Sequence, residues 1–297
     1  MTKKANKTLQ EIFDEYIALR RPKLSTAADY QALLNRYAKD WLPKPWSALT
    51  SDVFEKRFAE VSLKSPAQAN YFVRVMGAIW KFATIKYEVN KRNPTDRIKA
   101  LGALNKIKPR DNIIHDIIQP KWWSAVQKLD NQHLTAALIF LALTGCRKSE
   151  ALKLRCSDIE WQARVVTFSE TKNGTIHRLP LSDRLHSYLY QHCKGRSGSV
   201  FAVSDRSINY VAADISKRIG FKWTLHDLRR TFVTVAQRTL NDLATVKRLV
   251  NHSTGGDVTT KHYLKLTVDD LRKPMQQVED AFGNLAKERP LDLPPAD

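Results

Sequence analysis

Residues 142–152 read ALTGCRKSEAL, and the break inside this stretch organises the chain around it. Upstream, residues 131–144 (NQHLTAALIFLALT) form an apolar run far short of the ~20 residues a membrane span needs and suited to a buried helix. Gly145 ends that helix, because glycine accepts the left-handed backbone of a C-terminal cap. Arg147 then opens a short helix over 147–154, where unpaired backbone N–H groups favour an anion. Planar guanidinium groups match phosphate oxygens with paired hydrogen bonds.

Beyond this point the hydrophobic period changes. Residues 164–168 (RVVTF) predict a strand, 172–174 (KNG) a turn and 175–180 (TIHRLP) the returning strand. Residues 199–202 (SVFA) suggest a third short strand. Helices are predicted at 119–129, 181–192, 206–219, 226–239, 241–250, 257–265 and 268–285. The last carries Leu271, Met275, Val278, Phe282 and Leu285 at helical spacing.

The N-terminal part reads differently. Residues 8–20 predict a helix with Thr8 as cap and Glu11 completing a capping box. Three more helices are predicted at about 26–40, 50–60 and from Ser65-Pro66 onward. The basic stretch 91–111, with prolines and no clear period, suits a linker. The expectation is a mainly α protein with a small antiparallel sheet. It divides into a four-helix domain over 1–105, a linker at 106–113 and a second domain over 114–297.

The chain of 297 residues carries 49 Lys+Arg against 30 Asp+Glu, a formal net charge of +19. Residues 1–112 hold 22 basic and 11 acidic residues (+11), and the other 185 hold 27 and 19 (+8). Both parts are basic, so one tail does not explain the surplus, and a polyanion gripped by both is the physical expectation. The three cysteines, Cys146, Cys156 and Cys193, form no CxxC and fit neither a disulfide framework nor a zinc site. The start, MTKKANKTLQEIF, lacks the apolar stretch of a signal peptide. A cytoplasmic protein without membrane attachment is expected.

Six residues have side chains fit for phosphodiester chemistry. Arg147 and Arg229 suit the charge that builds on nonbridging oxygens. His226 lies three residues before Arg229 and shares its helical face, where it could take a proton or bond to phosphate. Lys172 sits at the hairpin tip, from which an ammonium could protonate a leaving oxygen. His252 follows a helix end. Tyr263 has a phenol that attacks only with help from a base and positive neighbours. Taken singly, each type has an ordinary structural use; their order and company make the case.

That order resembles the tyrosine recombinases, the phage-integrase family. TGCRKSE at 144–150 is similar to the family's first arginine box, TGxRxxE, and HDLRR at 226–230 to its HxLRR box. Residues 249–253 (LVNHS) resemble the LGH segment, TKHY at 260–263 the nucleophile segment, and TKNG at 171–174 the hairpin lysine. The likeness covers roughly residues 8–285. Asn251 stands where the family usually has glycine; Asn tolerates a left-handed backbone, so the turn is expected to survive.

The resemblance implies a core-binding (SAM-like) domain followed by a catalytic domain, together a C-shaped clamp on double-stranded DNA. It implies that Tyr263 attacks the scissile phosphate held by Arg147, Arg229, His226 and His252, that Lys172 protonates the departing 5′-oxygen, and that Glu150 orients its neighbours. No cofactor, metal or ATP is implied. It further implies a homotetramer on DNA, with the helix at 268–285 packing on the next protomer, and leaves room for an accessory DNA-bending protein. Candidate DNA contacts are Arg36 and Lys39, Asn70, Arg74 and Lys81, and Arg230. Residues 1–7 are too few for a further arm-binding domain, so a simpler recombinase or a shortened chain is expected. Integration or excision of a mobile element is the favoured role. A type IB topoisomerase, a DNA-binding protein with a decayed site and an RNA-modifying enzyme are the alternatives.

Overall fold

The computed structural model describes residues 7–171, 174–252 and 266–285. The chain forms two compact units, residues 1–109 and 110–297.

The first unit is helical. Helix α1 (Leu9–Arg20) starts at the capping box, with the Thr8 hydroxyl accepting from the Glu11 N–H and the Glu11 carboxylate accepting from the Thr8 N–H. Helix α2 spans Leu24–Tyr37, α3 spans Ser51–Lys64 behind a Thr50 cap, and α4 spans Pro66–Tyr87 with proline in its first turn, where the missing N–H costs nothing. Aromatic rings fill the centre: Phe54 stacks on Phe72 at 5.2 Å, and Trp46 meets Trp80 edge-on at 4.6 Å.

The linker-like reading of 91–111 is corrected over much of its length. Residues 96–100 form a short helix, α5 (Asp96–Ala100), that buries Ile98. Further on, the Asn70 side chain donates to the Asn105 carbonyl at 2.8 Å and accepts from its N–H at 3.0 Å. This clasp draws the segment onto α4.

The second unit places α6 (Gln119–Gln127), α7 (Gln132–Thr144) and α8 (Lys148–Leu152) ahead of a three-stranded antiparallel sheet. The strands β1 (Ile159–Glu160), β2 (Val165–Phe168) and β3 (His177–Pro180) run in that order, with Phe168 opposite His177 and Val166 opposite both Ile159 and Leu179. The third strand is therefore at 159–160. Ser199 makes only an isolated bridge to Arg155. Helices α9 (Asp183–Cys193), α10 (Asp205–Ile219), α11 (Leu225–Leu240), α12 (Leu243–Leu249) and α13 (Arg272–Leu285) complete the unit. Helix α7 is buried on nearly all sides, as its uniform apolarity requires, and packs on α11. The helix predicted at 257–265 lies outside the described residues.

The apolar stripe that the sequence offered for packing on a neighbouring protomer is covered within its own unit in the single chain. Leu271, Met275, Val278 and Phe282 are buried in their own unit, against α11 and α7. The buried Glu279 carboxylate accepts from the Ser182 hydroxyl (2.7 Å) and from the Leu185 (3.0 Å) and Arg184 (3.1 Å) N–H groups. It thus satisfies the open N-terminus of α9, a favourable place for a negative charge. No helix among the described residues is long and apolar enough to cross a membrane.

Candidate active site

The site is built where α7 ends. Gly145 has φ of +59°, and its N–H closes the helix on the Leu141 carbonyl. A Cβ here would lie 2.5 Å from the Phe232 ring. Two independent constraints therefore demand glycine: the left-handed backbone and the closeness of α11.

Arg147 follows and is fixed from below. The Glu150 carboxylate, buried under α8, accepts from the Arg147 N–H at 3.0 Å and from its Nη1 at 2.9 Å. One carboxylate thus holds both the backbone and the guanidinium of the same residue.

Arg229 and His226 come from the first two turns of α11. Arg229 is 6% exposed, among the most buried charges in the unit. Its Nη1 donates to the Gly145 carbonyl (2.8 Å) and its Nη2 to the Val250 carbonyl (2.7 Å). Burial, then the charge of Arg147, lower its pKa; an arginine nonetheless remains protonated. Two like charges held close, with no salt bridge to Arg229 among the described residues, make a place that gains from an anion. His226 is exposed. Its pKa is lowered first by partial desolvation, then by the charges of Arg230 and Arg229, with Asp227 opposing and Arg147 adding. The imidazole is thereby kept neutral and able to accept a proton.

The Val250 carbonyl belongs to a terminus whose geometry is legible in its hydrogen bonds. The Asn251 N–H bonds to the Arg248 carbonyl (3.2 Å) and the His252 N–H to the Lys247 carbonyl (2.9 Å). This is the paired closure of a Schellman cap. Asn251 takes φ of +49°, so the turn survives the departure from glycine. His252 is the next residue, and it is exposed.

Lys172 and Tyr263 lie outside the described residues. The hairpin that carries Lys172 is closed at its base: the Thr171 hydroxyl donates to the Thr175 carbonyl (2.7 Å) and accepts its N–H (3.2 Å). Of the six predicted residues, the structure draws Arg147, His226 and Arg229 together and ties them to the segment that leads to His252.

The candidate DNA contacts fare unevenly. Arg36, Lys39, Arg74 and Lys81 are exposed on the first unit, and Arg74 lies over the Tyr71 ring at 5.4 Å. Asn70 is corrected to a structural role, because both ends of its amide hold Asn105. Arg230 bonds to the buried Asp227 at 2.6 Å, and Asp227 in turn caps α11 through the Thr224 N–H and hydroxyl.

Two further residues were passed over in the sequence. His177 on β3 is 2% exposed and stacks on Phe168. Its Nε2 lies 3.1 Å from the Leu249 carbonyl, and its Nδ1 lies 3.2 Å from the Arg248 guanidinium. The only signal was a polar residue at an inward register position of a strand, two before Leu179.

Two arginines and a histidine thus gather where α7 ends and α11 begins. The chain belongs to the phage integrase family, whose model matches residues 121–269. It is 24% identical over 254 residues to the tyrosine recombinase XerA of Saccharolobus solfataricus, covering 84% of this chain and 78% of that protein. It is 26% identical over 229 residues to the prophage integrase IntF of Escherichia coli, covering 73% of this chain and 47% of IntF. Among solved structures, a lambda integrase tetramer bound to a Holliday junction superposes with a TM-score of 0.70 at 16% identity, over 86% of this chain and 80% of that one. The mainly helical architecture with its three-stranded sheet is that of the tyrosine recombinase fold.

Proposed function

We propose that the protein is a site-specific recombinase that cuts and rejoins double-stranded DNA through a 3′-phosphotyrosyl intermediate. The observation that carries this reading is the hub at Arg229, which joins the Gly145–Arg147 turn to the α12 terminus while His226 stands one turn away. Tyr263 attacks the scissile phosphorus, so that an Oη–P bond forms as the P–O5′ bond breaks. Its proton passes to neutral His226, and the departing 5′-oxygen takes one from Lys172. Arg147, Arg229 and His252 hold the nonbridging oxygens, where preorganised donors are worth most. Glu150 keeps Arg147 in place. A 5′-hydroxyl from a partner duplex then reverses the step. The number of phosphoester bonds is unchanged, so no ATP is needed.

The first unit, read as the core-binding domain, supplies phosphate contacts from Arg36, Lys39, Arg74 and Lys81. The likeness to a prophage integrase supports a role in moving a genetic element, and the lambda integrase tetramer supports work as a tetramer on DNA.

The test is a nicked duplex spanning the element's own genomic junction, run on a denaturing gel after incubation with wild type or Tyr263→Phe. A covalent protein–DNA band with wild type alone supports the proposal. Tight specific binding without a band for either protein would sink it in favour of a binding protein. Relaxation of supercoiled DNA lacking the junction would favour a topoisomerase.

A further inference from the structure

The buried imidazole of His177 is not used by the proposed chemistry, yet it sits between three parts of the second unit. A carbonyl only accepts and a guanidinium only donates. The Leu249 carbonyl at 3.1 Å therefore assigns a hydrogen to Nε2, and the Arg248 Nη1 at 3.2 Å faces the lone pair on Nδ1. The tautomer is set by its partners. Stacking on Phe168, 5.7 Å away and inclined by 15°, fixes the ring plane.

Arg248 carries the chain of contacts onward. Its Nε lies 3.4 Å from the Leu266 carbonyl. In sequence, Leu266 is three residues past Tyr263, and Leu249 is three residues before His252. The stretch between Leu249 and Leu266 is thus tied at both ends to one imidazole–guanidinium pair. The Val250 carbonyl beside it receives Arg229, so the same terminus is registered to the arginine hub.

Building on the recombinase reading, we infer that His177 and Arg248 are positioning residues for the nucleophile: by anchoring Leu249 and Leu266 to β3, they fix both ends of the segment that carries Tyr263. Neither touches phosphate. Their effect is on the fraction of time the phenol spends in an attacking pose. Tethering the ends reduces the freedom lost when the pose forms, and small misplacements of reacting groups are costly in rate.

The test measures single-turnover formation of the covalent adduct, DNA affinity and thermal unfolding for wild type, His177→Phe, His177→Gln, Arg248→Met and Arg248→Lys. Each is assayed on the nicked junction duplex with either the natural 5′-oxygen or a 5′-bridging sulfur at the scissile phosphate. Phe keeps the stack and removes both hydrogen bonds; the Gln amide offers one donor and one acceptor in their place. We expect His177→Phe and Arg248→Met to bind DNA within about twofold of wild type and to form adduct at least about tenfold more slowly. His177→Gln and Arg248→Lys should recover part of the rate. The loss should be equal on the two substrates, because a thiolate leaves without a proton and its use bypasses only the acid step. Wild-type rates in Phe and Met would overturn the inference. So would rescue by sulfur, which would place the pair on the leaving-group side, or a loss matched by weaker binding or by a smaller folded fraction. Failure of wild type itself to form adduct would instead refute the recombinase reading.

Discussion

Arg229 donates to the Gly145 carbonyl at 2.8 Å across 84 residues of sequence. The cap of one helix is thereby the seat of a charge from another. Gly145→Ala should test this directly. The added Cβ would meet Phe232 at 2.5 Å, on a backbone with φ of +59°. Chemical denaturation should show a loss of about 2 kcal/mol or more. A stability unchanged from wild type would mean that the junction relaxes freely and does not register Arg229.

Arg147→Lys and Arg229→Lys test the two guanidinium groups. Lysine keeps the charge but not the fork, and cannot bridge two carbonyls while also facing a phosphate. Adduct formation should fall by about 100-fold or more, with DNA affinity within a few-fold. Near-normal rates in both variants would reduce the arginines to generic phosphate anchors.

Asn251 holds the left-handed position of the α12 cap. Asn251→Gly should leave stability within about 0.5 kcal/mol, whereas Asn251→Val should cost about 1–2 kcal/mol, since a β-branched side chain clashes at positive φ. The Val variant should also lose cleavage, because the His252 N–H and the Val250 carbonyl share that turn. The two variants would be compared by thermal melts and adduct assays; equal behaviour would contradict the cap.

Burial, then the neighbouring charge of Arg248, lowers the His177 pKa from the ordinary histidine value of 6.5 to about 4, although its contact with the Leu249 carbonyl opposes the change. The unfolded chain therefore binds a proton at a pH where the folded chain does not. Stability should be full above about pH 6.5, fall as pH drops from there to about 4, and level off below, with about 3 kcal/mol at stake. Denaturant titrations at pH 7 and pH 5 should show this slope in wild type and a shallower one in His177→Gln. Equal slopes would exclude His177 as its source. His226 shifts in the same direction, so the acid limb of kcat/KM should also fall below the ordinary histidine range.

Much of the fold was legible because its signals are local. Thr8 with Glu11, Thr50, Pro66 and Gly145 each mark a helix end through their own backbone chemistry, and the structure places ends there. What was missed depends on partners distant in sequence. Helix α5 has five residues and one buried side chain, too few to show a period, and β1 has two. The stripe on α13 announced an apolar face, but periodicity does not say what covers it. Asn70 looked like a free polar group on a helix until Asn105 came into view. Arg147, Arg229 and His226 were found by order and resemblance, and the structure adds how they are held. The contact of His177 with Leu249 spans 72 residues, and nothing at 177 itself announced it.

Glu279 reaches the start of α9 across 97 residues, and this has a consequence for synthesis. The carboxylate that closes α9 and the ring of Phe282 leave the ribosome among the last parts of the described chain. Until they arrive, the core around α7 and α11 has an open side, and the Arg229 hub rests on an incomplete floor. Closure of the core beneath the Arg229 hub therefore waits for the last helix described.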